Sequence, residues 1–406
     1  MSDIVVIGAG HVGLTLLTDL VSTRELHGLN ASTLFVRDVS GSPEQRIREL
    51  CGTVTRTNMI SGERDSVEVG PQHFSHLHGE RAQAMLEAAQ HIIVTVPDIP
   101  AVRLPLMERI ARLESVAGKV VTFVRAGQGG QPVIAEWVRR TPQLRHTSLV
   151  LVEDSFHGTR VAGTHISYKR KLSVNVSVYS RTPRAALDRL RGLFPLGHLI
   201  GRPSWPDIAV RPGIGLLFDP LGYIIHVGIA LDRRNLEKTR AGIVYQHYTE
   251  GVHRELAERL DALDRERVFL ARAYGVEAQR FPRIIERQYG LPYQPDFYDM
   301  MQSCRDIYRS MSCTSIEELR RSRIIREDIP GLRTIRWLAD VAGIRLPVTE
   351  RYEMDVMRTA AELGVHGSDL VGYVPELSAV PGTVPHITSL LTAPHDMELA
   401  AVGERT

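Results

Sequence analysis

The stretch Asp3-Ile-Val-Val-Ile-Gly-Ala-Gly-His-Val-Gly13 decides the fold. Its first half is a short apolar run of β-branched residues, which reads as a buried strand. Gly8, Gly10 and Gly13 then form G-x-G-x-x-G, and Val12, Leu14, Leu16, Leu17 and Leu20 follow at helical spacing. Strand, glycine turn and helix is the context in which this pattern cradles a dinucleotide. Gly8 permits the tight turn, Gly10 lets the backbone approach a pyrophosphate, and Gly13 lets the helix lie close on the strand. His11 and Val12 open the helix, whose free N–H groups are donors for phosphate. Gly8, Gly10, His11, Val12 and Gly13 are therefore the candidate cofactor-binding residues of the turn.

A second strand, Ser32 to Val36, ends where the adenosine ribose of a dinucleotide sits, about 20 residues past the fingerprint. Arg37 and Asp38 follow it. An arginine there suits the 2′-phosphate of NADP and a carboxylate suits the 2′-hydroxyl of NAD. Arg37 comes first, with Ser40, Ser42 and Arg46 behind it, which favours NADP slightly over NAD. In the competing reading Arg37 is a surface charge and Asp38 holds the ribose. Further strands are expected at 91–97, 119–124 and 148–152, with a helical stretch at 82–90. Such alternation implies a Rossmann-type doubly wound parallel sheet, whose ligands lie at the carboxyl ends of its strands. Pro97 and the Gly127–Gly130 loop are thus expected to face the cofactor. Residues 157–178 end in alternating apolar and polar residues. They read as a hairpin extending the sheet edge with one solvated face, Lys169-Arg170-Lys171 guarding that edge.

From about residue 184 the pattern turns helical. A long amphipathic helix is expected over 248–275, a second over 331–342 ending at Gly343, and a last from Pro347 to Glu362. Residues from 371 are rich in proline, glycine and threonine. The expected organisation is a nucleotide-binding domain over 1–183, a mostly helical substrate and catalytic domain over 184–370, and an irregular tail over 371–406.

The chain has 406 residues, 43% apolar and 24% charged, which fits a folded globular protein rather than a disordered one. No uncharged apolar run reaches 18 residues, so no transmembrane helix is expected. The opening residues lack the basic stretch of a secretory leader. Cys51, Cys304 and Cys313 are odd in number and widely spaced. They fit neither a disulfide framework nor a metal site, and they suit a reducing cytoplasm. The net charge of +2 is too balanced to predict nucleic-acid binding. Only four of the 49 basic residues are lysines, Lys119, Lys169, Lys171 and Lys238. Genome composition is the plain cause, but some arginines can serve as forks for carboxylate or phosphate.

Two segments of the helical half could carry chemistry. In Gly222-Tyr-Ile-Ile-His226 the histidine follows an apolar run. It is either a satisfied core histidine or a proton carrier near neutral pH. In Arg323-Ile-Ile-Arg-Glu-Asp328-Ile-Pro-Gly331 the aspartate precedes a helix start. It is either an N-terminal cap or the partner that orients a histidine, with Arg323 as a carboxylate fork. Spacing alone does not choose.

The order of these segments resembles the octopine/nopaline (opine) dehydrogenase family over roughly residues 3–365. The resemblance rests on Gly222 to His226, on Tyr248-Thr-Glu-Gly251 with Asp264-Arg-Glu-Arg267, and on Arg323 to Gly331 followed by Ala342-Gly-Ile-Arg-Leu-Pro347. Val227 and Arg326 stand where the family often has proline and threonine. His157-Gly-Thr-Arg160 and Tyr168-Lys-Arg-Lys171 also look like the branch that makes opine metallophores. The resemblance implies a helical domain like the carboxy-terminal domain of 6-phosphogluconate dehydrogenase. It also implies a dimeric cytoplasmic oxidoreductase that uses NADP or NAD and no metal. The reaction would condense an amino acid with a 2-oxo acid and reduce the imine to a secondary amine. It makes His226 and Asp328 the catalytic pair, and Arg323, then Arg160, the substrate-carboxylate ligands. Two alternatives stand beside it: a ketopantoate-reductase-like reductase of 2-oxo acids, and a non-catalytic NAD(P)-binding sensor.

Overall fold

The computed structural model describes residues 2–36, 43–194, 206–211, 213–308, 310–380 and 382–391. Its main sheet has eight strands in the order β12-β11-β8-β7-β6-β1-β2-β5. Here β1 is Ile4–Ile7, β2 Ala31–Phe35, β5 Phe74–His76, β6 His91–Val94, β7 Val120–Phe123, β8 Ser148–Val152, β11 Ser173–Tyr179 and β12 Asp207–Val210. All neighbours are parallel except β11, which runs antiparallel to β8. The order reverses beside β1, because β2 lies on one side of it and β6 on the other. The expected doubly wound plan is therefore present, with helices His11–Ser22, Pro100–Ala111 and Gly130–Arg140 as crossovers. β1, β6, β7 and β8 are almost wholly buried, as a sheet covered on both faces requires.

A second sheet was not foreseen. It pairs β3 (Gly52–Asn58) and β4 (Arg64–Val69) with β9 (His157–Ala162) and β10 (His165–Arg170), in the order β4-β3-β10-β9. It lies along the helix His11–Ser22. The hydroxyls of Thr15 and Thr159 are 2.5 Å apart, and the buried Asp19 binds Arg56 at 2.7 Å and His157 at 2.5 Å.

Four expectations change here. The 157–178 stretch is no single edge hairpin, because β9 and β10 join the small sheet while β11 extends the main one. Nor has β11 a solvated face. Ser173, Asn175 and Ser177 are buried, and Asn175 is satisfied by Glu153 and Asp219. Lys169 and Lys171 are buried as well, Lys169 against Ile307 and Tyr308 of the helical half and Lys171 against Asp154. The main sheet also runs past residue 183, taking its last strand from Asp207–Val210.

The helical half is built around Gly222–Ala230, which is apolar and buried except at His226, as suits a helix at the centre of a bundle. Arg254–Ala273 and Ile329–Ala342 pack on it. Pro347–Glu362 reaches it through Tyr352, whose hydroxyl donates to the Tyr223 carbonyl at 2.9 Å. Phe297–Ser303 and Phe281–Tyr289 pack outside Arg254–Ala273. The expected helix over 248–275 starts only at Arg254, where the His253 ring accepts the Leu256 N–H as a cap. Gly343 ends Ile329–Ala342 in a left-handed conformation, as its position suggested. The expected irregular tail holds regular structure in its described residues. Tyr373 binds Asp98, Val374–Ser378 and Val384–Leu391 are helical, and Leu377 and Ile387 are fully buried. Its apolar side chains outweigh its prolines. Residues 392–406 lie outside the described residues. Arg287 ties the halves by a bidentate pair to Glu153, both contacts at 2.9 Å. Among the described residues no single helix is long and apolar enough to cross a membrane.

Candidate active site

Gly222 and His226 are one helical turn apart and share a face. A Cβ on Gly222 would stand 2.2 Å from Asp328 Oδ1, so the glycine admits the carboxylate to this face. Asp328 comes from a π-helical turn, Ile324–Asp328, that runs into Ile329–Ala342. Pro330 explains the wide turn, because it has no N–H for the usual bond and its ring crowds the carbonyl four residues back. Asp328 does not cap the helix: its backbone is already helical and its side chain makes no cap bond. The carboxylate is fully buried, with Oδ2 2.8 Å from His226 Nδ1.

The other ring nitrogen, Nε2, is 2.9 Å from the hydroxyl of Tyr248. We assign Nδ1–H as the donor to Asp328, which leaves Nε2 as the acceptor for the tyrosine O–H. Arg323 Nη2 is 3.1 Å from the same Nδ1, and its Nε is 3.8 Å from Asp328 Oδ2. With Nδ1 protonated, the guanidinium is drawn by the carboxylate and not by the ring. Its side chain is 44% exposed, so it is free to take an anion.

Burial lowers the imidazole pKa, the Asp328 charge opposes this, and Arg323 and Arg125 lower it further. The net shift is downward from 6.5. Burial alone would raise Asp328, but His226, Arg323 and Arg125 outweigh it and hold the carboxyl below its usual value. A neutral imidazole beside an ionised carboxylate is the resting pair.

The nucleotide domain supplies the rest of the setting. Arg125 follows β7 with φ +60°, a strained conformation for a residue with a side chain. It reaches Asp154 at 3.1 Å, Glu327 at 3.1 Å and Asp328 at 3.8 Å. Lys171 backs Asp154 at 2.5 Å. Gln128 donates to Asp328 Oδ1 at 3.2 Å. The His226–Asp328 pair therefore lies against the carboxyl end of β7, where ligands of such sheets bind. Neither Arg125 nor Tyr248 was singled out as a site residue. Their sequence cues were a basic residue at a strand's end and the aromatic before Thr-Glu-Gly.

At the other end of the expected site, Gly8 has φ +115°. A Cβ on Gly13 would stand 1.7 Å from the Gly8 carbonyl oxygen, while one on Gly10 would meet nothing within 4 Å. Gly10 also starts the helix without a side-chain cap. The turn thus has an open, uncapped cradle that a side chain at Gly10 would fill, and a dinucleotide pyrophosphate fits it. His11 and Val12 form the first turn, His11 exposed, its Nδ1 accepting the Val161 N–H at 2.9 Å. Arg160 is exposed on β9. Its charge acts on His11 and also on Cys313 and Glu318 of the helical half, so it stands between the two halves and apart from the His226 pair.

Pro97 is half-buried after β6, its carbonyl accepting from Arg103 at 3.3 Å. The Gly127–Gly130 loop is not an open cofactor wall. It is buried under the helical half, where Thr334 donates to the Gln128 carbonyl at 2.9 Å. Arg37 and Asp38 lie outside the described residues.

Residues 212–354 match the family described as NAD/NADP octopine/nopaline dehydrogenase, alpha-helical domain. Octopine dehydrogenase with NADH and L-arginine superposes with a TM-score of 0.70 at 16% identity, over 96% of this chain and 98% of that one. Yersinopine dehydrogenase with NADP+ bound gives 0.68 at 14% identity, over 93% and 97%. A ketopantoate reductase from Ralstonia eutropha JMP134 gives 0.53 at 13% identity, over 89% and 99%. At these identities the likeness is one of fold. No curated protein matches the sequence.

Proposed function

From residues 212–354, which match the alpha-helical domain of the octopine/nopaline dehydrogenase family, we propose that this protein is an NAD(P)H-dependent opine dehydrogenase. It would join the amine of an amino acid, or of a molecule derived from one, to the ketone carbon of a 2-oxo acid. The single observation that carries this reading is the imidazole of His226, held by Asp328 at Nδ1 and open to exchange at Nε2, against the end of β7.

The bound nicotinamide would supply the hydride that reduces the imine carbon. The protein's part is proton transfer and placement. As the amine attacks the ketone, Nε2 of His226 takes a proton from the nitrogen. The imidazolium returns it to the ketone oxygen, and the second N–H proton follows the same route to that hydroxyl as it leaves as water. A proton drawn from solvent through the ring reaches the imine nitrogen as the carbon is reduced. Asp328 fixes the tautomer and offsets the charge that forms on the ring. Tyr248 holds the Nε2 lone pair until substrate takes its place. Arg323 offers its fork to a substrate carboxylate beside the ring, and Arg160 offers a second cation between the halves.

On the cofactor side, Arg37 directly behind the second strand favours the 2′-phosphate of NADPH over NADH. The product would carry a secondary amine between carboxylates, a donor set able to chelate a metal ion. That use of the product is open to titration with metal once the product is in hand. The test is a matrix of amino acids against 2-oxo acids, with NADPH and NADH separately. Oxidation by a 2-oxo acid alone favours the simpler reductase whose fold this chain shares. Cofactor binding with no turnover favours a sensor.

A further inference from the structure

Lys169 has no part in the chemistry assigned to His226, Asp328 and Arg323, yet the fold makes room for it. It pairs with Gly158 across β9 and β10, and a Cβ on Gly158 would stand 2.2 Å from Lys169 Cε. The neighbouring strand is hollowed to let the lysine stem cross it. The ammonium ends inside the helical half. It donates to the Ile307 carbonyl at 2.8 Å and lies 3.6 Å from the ring centroid of Tyr308 and 5.6 Å from that of Tyr289. Lys169 is 7% exposed, and among the described residues no carboxylate lies within ion-pair distance of it. A buried ammonium without a carboxylate is costly, and an apolar side chain would fill the slot without that cost.

The Tyr308 ring that holds the ammonium also packs, at a tilt, against Tyr248. The Tyr308 and Tyr248 centroids are 4.5 Å apart, and the Tyr248 hydroxyl is 2.9 Å from His226 Nε2. Three contacts therefore link the lysine to the imidazole.

We propose that Lys169 is a positioning residue: its ammonium pins the Tyr308 ring against Tyr248 and so keeps the Tyr248 hydroxyl on Nε2 of His226. Cation–π attraction on a desolvated ring supplies the force. Burial brings the Lys169 pKa down to about 7, with Cys304 opposing and Lys171 adding to the shift. Tyr289 and Tyr308 are the other titratable groups facing it, and burial holds both well above their usual values. The link to turnover rests on the proposed imine reduction, whereas the link to the imidazole does not.

The experiment uses the full chain with Lys169→Met, Lys169→Arg and Tyr308→Leu. It measures kcat and KM across pH, and the His226 titration by NMR of histidine-labelled protein, assigned through His226→Gln. Lys169→Met is expected to lower kcat about three- to tenfold with KM held and to move the His226 titration. Lys169→Arg, which keeps a cation on the ring, is expected to restore both. Tyr308→Leu keeps the lysine and removes the ring, and it should move the titration as Lys169→Met does. A folded Lys169→Met with wild-type kcat and an unmoved titration overturns the proposal. An unmoved titration in Tyr308→Leu overturns it even if Lys169→Met does not fold. If wild-type protein reduces no imine, the functional reading fails, and the titration still decides the role of Lys169.

Discussion

Asp328 Oδ2 stands 2.8 Å from His226 Nδ1, although 102 residues separate the two in the chain. The contact selects one tautomer of the ring and leaves Nε2 to do the chemistry. Replacing His226 by glutamine removes the proton carrier and should lower kcat about 10²–10⁴-fold. Asp328→Asn keeps the shape but no longer demands Nδ1–H, and it should cost kcat on a similar scale, about 10²–10⁴-fold. Cofactor affinity should hold in both variants. Steady-state rates with a cofactor-binding titration check this, and wild-type kcat in either variant would remove the pair from the mechanism.

Arg323 and Asp328 push the imidazole in opposite directions. The Arg323 charge lowers the His226 pKa and the Asp328 charge raises it, while burial sets the overall downward shift from 6.5. Arg323→Gln should therefore move the acid limb of log kcat/KM to higher pH, and Asp328→Asn should move it lower. A pH–rate series on the two variants gives the signs directly.

Arg323→Gln should also raise KM for the carboxylate substrate about 10–100-fold, the scale of one charge-assisted hydrogen-bonding fork. Arg323→Lys should not restore it, because a point charge cannot present two parallel N–H groups. Initial rates against substrate concentration separate this from an effect on kcat.

The fingerprint glycines should behave differently. Gly13→Ala puts a Cβ 1.7 Å from the Gly8 carbonyl oxygen and should lower Tm. Gly10→Ala meets nothing in the protein within 4 Å. It should keep Tm while weakening cofactor binding about tenfold or more, near 1.4 kcal/mol. Thermal melts beside a fluorescence titration with NADPH make the comparison.

Buried histidines should make the protein acid-sensitive. Burial lowers the pKa of His91 to about 4 and that of His247 to about 3. Both are neutral in the fold and take up protons on unfolding. Their contribution is fully present above pH 6.5 and is lost as pH falls towards 4 and then 3. Between pH 7 and 5 each group should cost about 2 kcal/mol. Urea midpoints at the two pH values should fall accordingly for the wild type and less for His247→Gln.

How legible each feature was follows from its range. The glycine turn is local: strand, turn and helix lie within Ile4–Ser22, so the cofactor half could be read directly. The small sheet could not. β3 finds its parallel partner β10 more than a hundred residues away, and its alternation of threonine with Arg56 resembles a solvated loop. Lys169 and Lys171 looked like a guarded edge because nothing near them in sequence announces the tyrosines and the carboxylate that cover them. Asp328 shows the limit most clearly. A carboxylate before Ile-Pro-Gly carries the same letters whether it caps a helix or holds a histidine. Only the π turn and the absence of a cap bond separate the two.

The most direct measurement takes the best amine and 2-oxo acid pair and omits one substrate at a time. NAD(P)H oxidation should need both, and product should appear at the mass of amine plus 2-oxo acid, less one water, plus two hydrogens. Oxidation at full rate with the 2-oxo acid alone, giving only the hydroxy acid, would contradict the account.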